Sequence, residues 1–288
     1  FPYARDALPG FVRDHGGQVM IQLGVPPKWA LDDPTEGTPF NLSAWRAFVD
    51  RFATRFAGQV AAYEIFNEPN LAREWGGPPD PAAYARILGA AYQAIKEADP
   101  HAVVISAGLA PSGDRMPEAM ADMSFLEEMY GAMGETNAGH FDALGLHAAG
   151  FKASPDVSPQ EAAANPALGG DETFTFRHVE EQIALSRKSM QVPAVITEFG
   201  WTTDPRPDSP YHWAAIDAAT RADYIARAFV LGPTLVGGEA HIGPMILFSA
   251  ADRAWTKDDE AYWWAVADGE GNVDGAVAEA LGAGGESE

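Results

Sequence analysis

Short apolar runs alternate along the chain with longer amphipathic stretches. Residues 19–23 (VMIQL), 60–66 (VAAYEIF), 102–106, 143–147, 194–197 and 244–248 predict short buried strands. Between them lie helical patterns. In residues 41–56, Trp45, Phe48, Val49, Phe52 and Phe56 fall at three- and four-residue spacings. Asp80-Pro81 supplies an N-cap and a first-turn proline for a helix that runs to Ala98 and stops at Asp99-Pro100. Ser124 and Glu127 predict a capping box opening a helix to about Met133. Residues 176–190 and 221–231 predict two more helices.

This alternation argues for an α/β chain with parallel strands and crossover helices. The strands have no polar face, as expected of a sheet covered on both sides. Residues 149–172, rich in Pro, Ala and Gly, predict a long functional loop. Gly169-Gly170-Asp171-Glu172 reads as a turn and helix entry. Asn41-Leu42-Ser43 fits a glycosylation acceptor, but Asn41 is read as an N-cap. Without a linker, residues 1–281 predict a single domain, with 282–288 a flexible acidic tail.

Composition narrows the function classes. The chain has 288 residues and is 47% apolar, enough to build a large core. Cysteine is absent, which removes disulfides, thiolate metal sites and cysteine nucleophiles. The formal charge of −22 disfavours nucleic acid and anionic membrane surfaces as partners and tolerates neutral sugars. No stretch is long and apolar enough to read as a membrane span. The first residue is Phe and no basic-then-apolar leader follows, so any targeting segment is expected to be already removed. An extracellular or secreted location is expected, with a cytoplasmic one as the alternative. There is no HExxH, no histidine cluster with ligand spacing and no phosphate-cradling glycine loop, so neither metal nor cofactor is expected.

Two glutamates close two of the predicted strands: Glu68 in Phe66-Asn67-Glu68-Pro69 and Glu198 in Thr197-Glu198-Phe199-Gly200. A charge ending an apolar run is costly unless it has a task or a partner. Two carboxyl groups flanking a glycosidic bond can hydrolyse it. In a retaining mechanism they lie about 5–5.5 Å apart, one attacking the sugar and the other protonating the leaving oxygen. The acid must hold its proton while the nucleophile stays ionised, and mutual repulsion supplies part of that difference.

Asn67-Glu68-Pro69, with Glu198-Phe199-Gly200-Trp201 two to three strand–helix units later, resembles clan A of the glycoside hydrolases, most closely its family 39 and cellulase-like members. Gly24-Val25-Pro26-Pro27-Lys28-Trp29-Ala30 resembles the segment after the third strand there. Asp142 to His147 resembles the sixth strand, and Tyr262 to Asn272 the closing segment. The resemblance implies a (β/α)8 TIM-type barrel in which strands three to eight are recognisable and the first two are absent from this chain. Residues 1–17 are then the end of the second helix, with Pro9 opening its last stretch. A missing N-terminal segment or a second chain is expected to complete the barrel.

The resemblance also implies roles. Glu68 is the acid/base and Glu198 the nucleophile of a retaining O-glycoside hydrolase acting on β-linked oligo- or polysaccharide. Asn67 hydrogen-bonds the sugar 2-hydroxyl, His147 lies near the base of the site, and Trp29 and Trp201 line sugar subsites. Phe248 stands where the family commonly has a tryptophan under the reacting sugar. A non-catalytic glycan-binding or scaffold barrel is the alternative.

The other candidates divide. Glu64, on the same side of its strand as Glu68, reads as a structural paired acid. Asn67 reads alternatively as a turn former, and His147 equally as a core histidine. Trp45 and Trp263 are expected in the core. Trp75, Trp213 and Trp255, with Trp201, fall beside rim loops where stacking on sugar competes with core packing.

Overall fold

In the computed structural model the described residues are 7–24, 40–134, 137–238 and 241–283. In chain order these form α1 (Leu8–Asp14), β1 (Met20–Leu23), α2 (Leu42–Arg55), β2 (Ala62–Ile65), α3 (Ala72–Trp75), α4 (Pro81–Ala98), β3 (Val103–Ser106) and α5 (Asp122–Ala132). There follow β4 (Leu144–Ala149), α6 (Pro159–Ala163), α7 (Val179–Ser189), β5 (Ala194–Gly200), α8 (Ala218–Leu235), β6 (Ile242–Leu247), α9 (Glu260–Trp264) and α10 (Gly275–Ala283). The alternation is the expected α/β pattern. The strands lie in two three-stranded sheets, β1–β2–β3 and β4–β5–β6, and no closed barrel forms among the described residues. The chain divides into two compact units: residues 1–145 with 185–193, and 146–184 with 194–288.

In the first unit β1, β2 and β3 are parallel, with Gln22, Glu64 and Ile105 in one register row. Helices α2 and α4 pack against each other. The buried face of α4 is Tyr84, Ile87, Leu88, Ala91, Ala94 and Ile95, the three- and four-residue spacing of a helix with one face inward. Its alanines bring the backbones close enough for Trp45 Nε1 to donate to the Ile87 carbonyl at 3.3 Å. The predicted caps form: Asn41 Oδ1 accepts from Ala44 N at 2.9 Å and Asp80 Oδ1 from Ala83 N at 2.8 Å. Pro9 lies in the first turn of α1, as expected.

The Ser124 capping box does not form. Helix α5 starts two residues earlier at Asp122, so Ser124 is already inside it. Near the start of β4, Ser106 N donates to the Ala143 carbonyl at 3.1 Å and Gly145 N to Ser106 Oγ at 3.0 Å. A Cβ on Gly145 would stand 2.0 Å from the Ser106 carbonyl oxygen, so only glycine permits that approach.

In the second unit β5 and β6 are parallel, with Ala194 opposite Ile242 and Phe199 opposite Leu247. Helix α8 packs on β6 and α10. It begins at Ala218, capped by Asp217, earlier than the predicted Arg221. The 149–172 segment is not a plain loop. Ser158 and Glu161 form a reciprocal capping box that opens α6, and a 3-10 turn follows over Pro166–Leu168. Gly169 and Gly170 then turn at positive φ into a second 3-10 turn, Phe176–His178, that leads into α7. Helix α10 includes Gly282 and Ala283; residues 284–288, and Trp29 with 25–39, lie outside the described residues.

Candidate active site

Glu68 lies three residues beyond β2, on a loop with unusual backbone. Phe66 and Glu68 have φ of 76° and 40°, a left-handed conformation that non-glycine residues rarely adopt and that the surrounding structure must enforce. Asn70 does much of the enforcing. Fully buried, its amide donates to the carbonyls of Ala110 and Met120 at 2.9 and 3.1 Å, while its Oδ1 accepts from Ala110 N at 3.0 Å. Glu68 N donates to the Gly108 carbonyl at 3.1 Å, and Leu71 N to the Glu68 carbonyl at 2.9 Å. The Glu68 side chain is left 17% exposed, with the Arg73 guanidinium 3.5 Å from Oε2.

The residues around Glu68 are interlinked. Gln22 Nε2 donates to Glu64 Oε2 at 2.9 Å and to Asn67 Oδ1 at 3.1 Å, and Asn67 Nδ2 donates to Glu74 Oε2 at 3.4 Å. Glu64 is buried, and Gly108 N also donates to it at 3.0 Å; this is the structural, paired acid expected from its position. Gln22, Asn70, Arg73 and Glu74 were not singled out in the sequence. A lone amide inside the apolar run VMIQL was the available signal for Gln22.

Glu198 is not beyond its strand, as its pattern suggested, but within it. The ladder continues past Thr197 because Phe248 N donates to the Phe199 carbonyl at 2.9 Å and Gly150 N to the Gly200 carbonyl at 3.1 Å. Every other residue of β5 is buried; Glu198 alone is part-exposed. Buried His147 on β4 brings Nε2 to 3.9 Å from Glu198 Oε1. The neighbouring Thr197 hydroxyl donates to the Leu146 carbonyl at 3.4 Å, tying the two strands together. Phe248, half-buried, follows β6, and its peptide bond to Ser249 is cis.

Trp201 is a core residue and lines no subsite. It is fully buried, stacks on Phe176 at 6.1 Å and donates from Nε1 to the Ala153 carbonyl at 2.8 Å. With no exposed surface and its one polar atom occupied, it offers a sugar nothing. Gly150 lies so close that a Cβ there would be 2.0 Å from the indole. Trp201→Ala is expected to destabilise the fold by about 3–5 kcal/mol, read as a lower midpoint in chemical denaturation. Trp75 is likewise buried, and Trp45 is in the core as expected. Trp263, expected in the core, is half-exposed; its neighbour Trp264 is the buried one. Trp213, 37% exposed, stacks on Phe151 at 5.7 Å.

Beyond β5 the loop is held by Asp204. Arg206 donates to both its carboxylate oxygens, at 2.8 and 2.7 Å, and these charge-assisted bonds hold the buried carboxyl down at about 2, despite desolvation acting the other way. Among the described residues no cluster of three or more His, Asp or Glu could hold a metal ion, and no helix is long and apolar enough to cross a membrane.

No protein-family model and no curated protein matches the chain. Solved structures do. A β-glycosidase matches with a TM-score of 0.63 at 15% identity, over 99% of this chain and 78% of that one. A family 39 glycoside hydrolase from Bacteroides cellulosilyticus WH2 matches with a TM-score of 0.62 at 15% identity, over 99% of this chain and 54% of that one. The fold is a glycoside hydrolase fold. A family 128 endo-β-1,3-glucanase from Sorangium cellulosum shares this glycoside hydrolase fold, with a TM-score of 0.60 at 16% identity over 96% of this chain and 84% of that one. The chain spans about half the length of the family 39 structure. These likenesses are of fold, at 15–16% identity.

Proposed function

We propose that the chain is the catalytic part of a retaining β-glycosidase that cleaves O-glycosidic bonds by double displacement. Glu198 is the nucleophile and Glu68 the acid/base. The observation that carries the reading is the selective exposure of Glu198, the one part-exposed side chain of an otherwise buried strand, on a fold of glycoside hydrolases. Glu198 stands where the register with β6 shifts, between Ile196 and Phe199, and an irregularity of that kind re-aims a side chain; attack at a sugar carbon needs such aim, because the attacking oxygen must arrive along one line. The left-handed backbone at Glu68 supports its role, since strain of that kind clusters where a side chain must be aimed.

In the first step Glu68 gives its proton to the leaving oxygen while Glu198 forms a glycosyl ester. In the second, Glu68 takes a proton from water as the water oxygen bonds to the anomeric carbon and the ester bond to Glu198 breaks, so the sugar leaves with its configuration kept. His147, 3.9 Å from Glu198, is placed to orient that carboxylate. Asn67 is the residue for the sugar 2-hydroxyl, in exchange for its bond to Glu74. The substrate is a β-linked polymer of neutral sugars, consistent with the −22 charge, and an extracellular setting suits such a polymer.

The test is a panel of aryl β-glycosides followed by proton NMR of the first product. The β-anomer is expected to appear first. An initial α-anomer would mean inversion, and would remove the role given to Glu198.

A further inference from the structure

The second unit contains a cleft of about 390 Å³ whose lining does not include Glu198, His147 or Phe248. Its volume is at the lower end of the range that holds small ligands, about 300–1,000 Å³. Tyr262 and Trp263 at the end of α9 form part of its wall, ring centroids 5.2 Å apart and nearly perpendicular. Asp268, Asn272, Asp274 and Arg221 supply polar groups.

The frame of the cleft is cross-linked by hydrogen bonds. Buried Arg221 donates to the Trp263 and Ala265 carbonyls at 3.3 and 3.1 Å and pairs with Asp274 at 3.0 Å. Asp274 also accepts from Ala276 N at 2.9 Å at the start of α10. Asp268 closes the rim turn by accepting from Glu270 N, Asn272 N and Asn272 Nδ2, each at 2.9 Å.

What remains unspent points to the ligand. Among the described residues the Tyr262 hydroxyl and Asn272 Oδ1 have no hydrogen-bond partner, and Asn272 Nδ2 has a second proton to give. The charged lining is one guanidinium against two carboxylates, so the cleft repels anions. An aromatic ring beside an amide and a carboxylate suits a ring with C–H groups on its face and hydroxyls at its edge.

We propose that this cleft is a second glycan site, separate from the catalytic glutamates, that takes a neutral sugar unit of a polysaccharide. It rests on the catalytic reading only for the choice of probes. The experiment is electrophoresis of the full chain carrying Glu198→Ala through gels containing soluble β-1,4-xylan or β-1,3-glucan. At least one polymer is expected to retard the parent. Adding Tyr262→Ala should weaken the retardation about three- to tenfold, and Asn272→Ala, on an exposed turn, should weaken it about twofold. With Glu198 intact, neither change should alter kcat/KM on a small aryl β-glycoside.

A parent that neither polymer retards, or cleft variants retarded like the parent, would overturn the proposal. So would an equal fall in aryl-glycoside kcat/KM, because the effect would then belong to the catalytic residues. If Tyr262→Ala does not fold, Asn272→Ala decides. Retardation needs no turnover, so a chain that hydrolyses no glycoside sinks the catalytic reading while the gels still judge the cleft.

Discussion

Glu198→Ala is expected to lower kcat by roughly 10⁴-fold or more, because no other group can form the glycosyl ester. Glu198 is part-exposed, so alanine there leaves no buried cavity and the unfolding midpoint should hardly move. That separates lost chemistry from lost fold. Azide added to this variant can attack the sugar in place of the missing carboxylate. It does so once, from the face opposite the leaving group, so a glycosyl azide of inverted configuration is the expected product. Near-normal turnover by Glu198→Ala would reject the assignment outright.

Glu68→Ala is expected to behave differently, and the difference is the stronger evidence. With an alkyl or sugar leaving group, which needs a proton to depart, the loss should be about 10²–10⁴-fold. With a dinitrophenyl leaving group the first step needs little protonation and should survive. The second step, now without a base for water, becomes slow. The glycosyl ester then accumulates and KM falls together with kcat. Azide needs no base, so it should restore turnover and yield a glycosyl azide of retained configuration. The limb of the pH profile that reports the protonated acid should vanish. Equal losses across leaving groups would instead make Glu68 a structural residue of its loop.

At α4 the local signals and the structure agree. Helix α4 begins at Asp80-Pro81 and ends at Asp99 as its caps dictate, because both ends are set by residues adjacent in the chain. The same rule misled at Ser124, where the helix starts earlier at Asp122, and was overlooked at Ser158 and Glu161, where it holds. The extension of β5 past Glu198 was hidden because it depends on hydrogen bonds to Gly150 and Phe248, which no local pattern reveals. Glu68 and Glu198 stand out in the sequence as charges beside apolar runs. Asn70, which holds the Glu68 loop, and Gln22, which bonds Glu64 and Asn67, carry no local signal because their partners come from distant segments. Trp201 was placed at a rim by its sequence neighbours and lies in the core, where Phe176 and Ala153 claim it.

The contrasting settings of the two glutamates also govern what each can tolerate over generations. Glu198 sits in a ladder, where a slip of one residue would turn every side chain of β5 to the opposite face. Glu68 rides on a loop outside the ladder, held by Asn70. Small changes in the 66–76 segment can re-aim Glu68 while the sheet stays as it is. With the roles proposed above, drift in that one loop would change which leaving groups are accepted while β5 stays as it is.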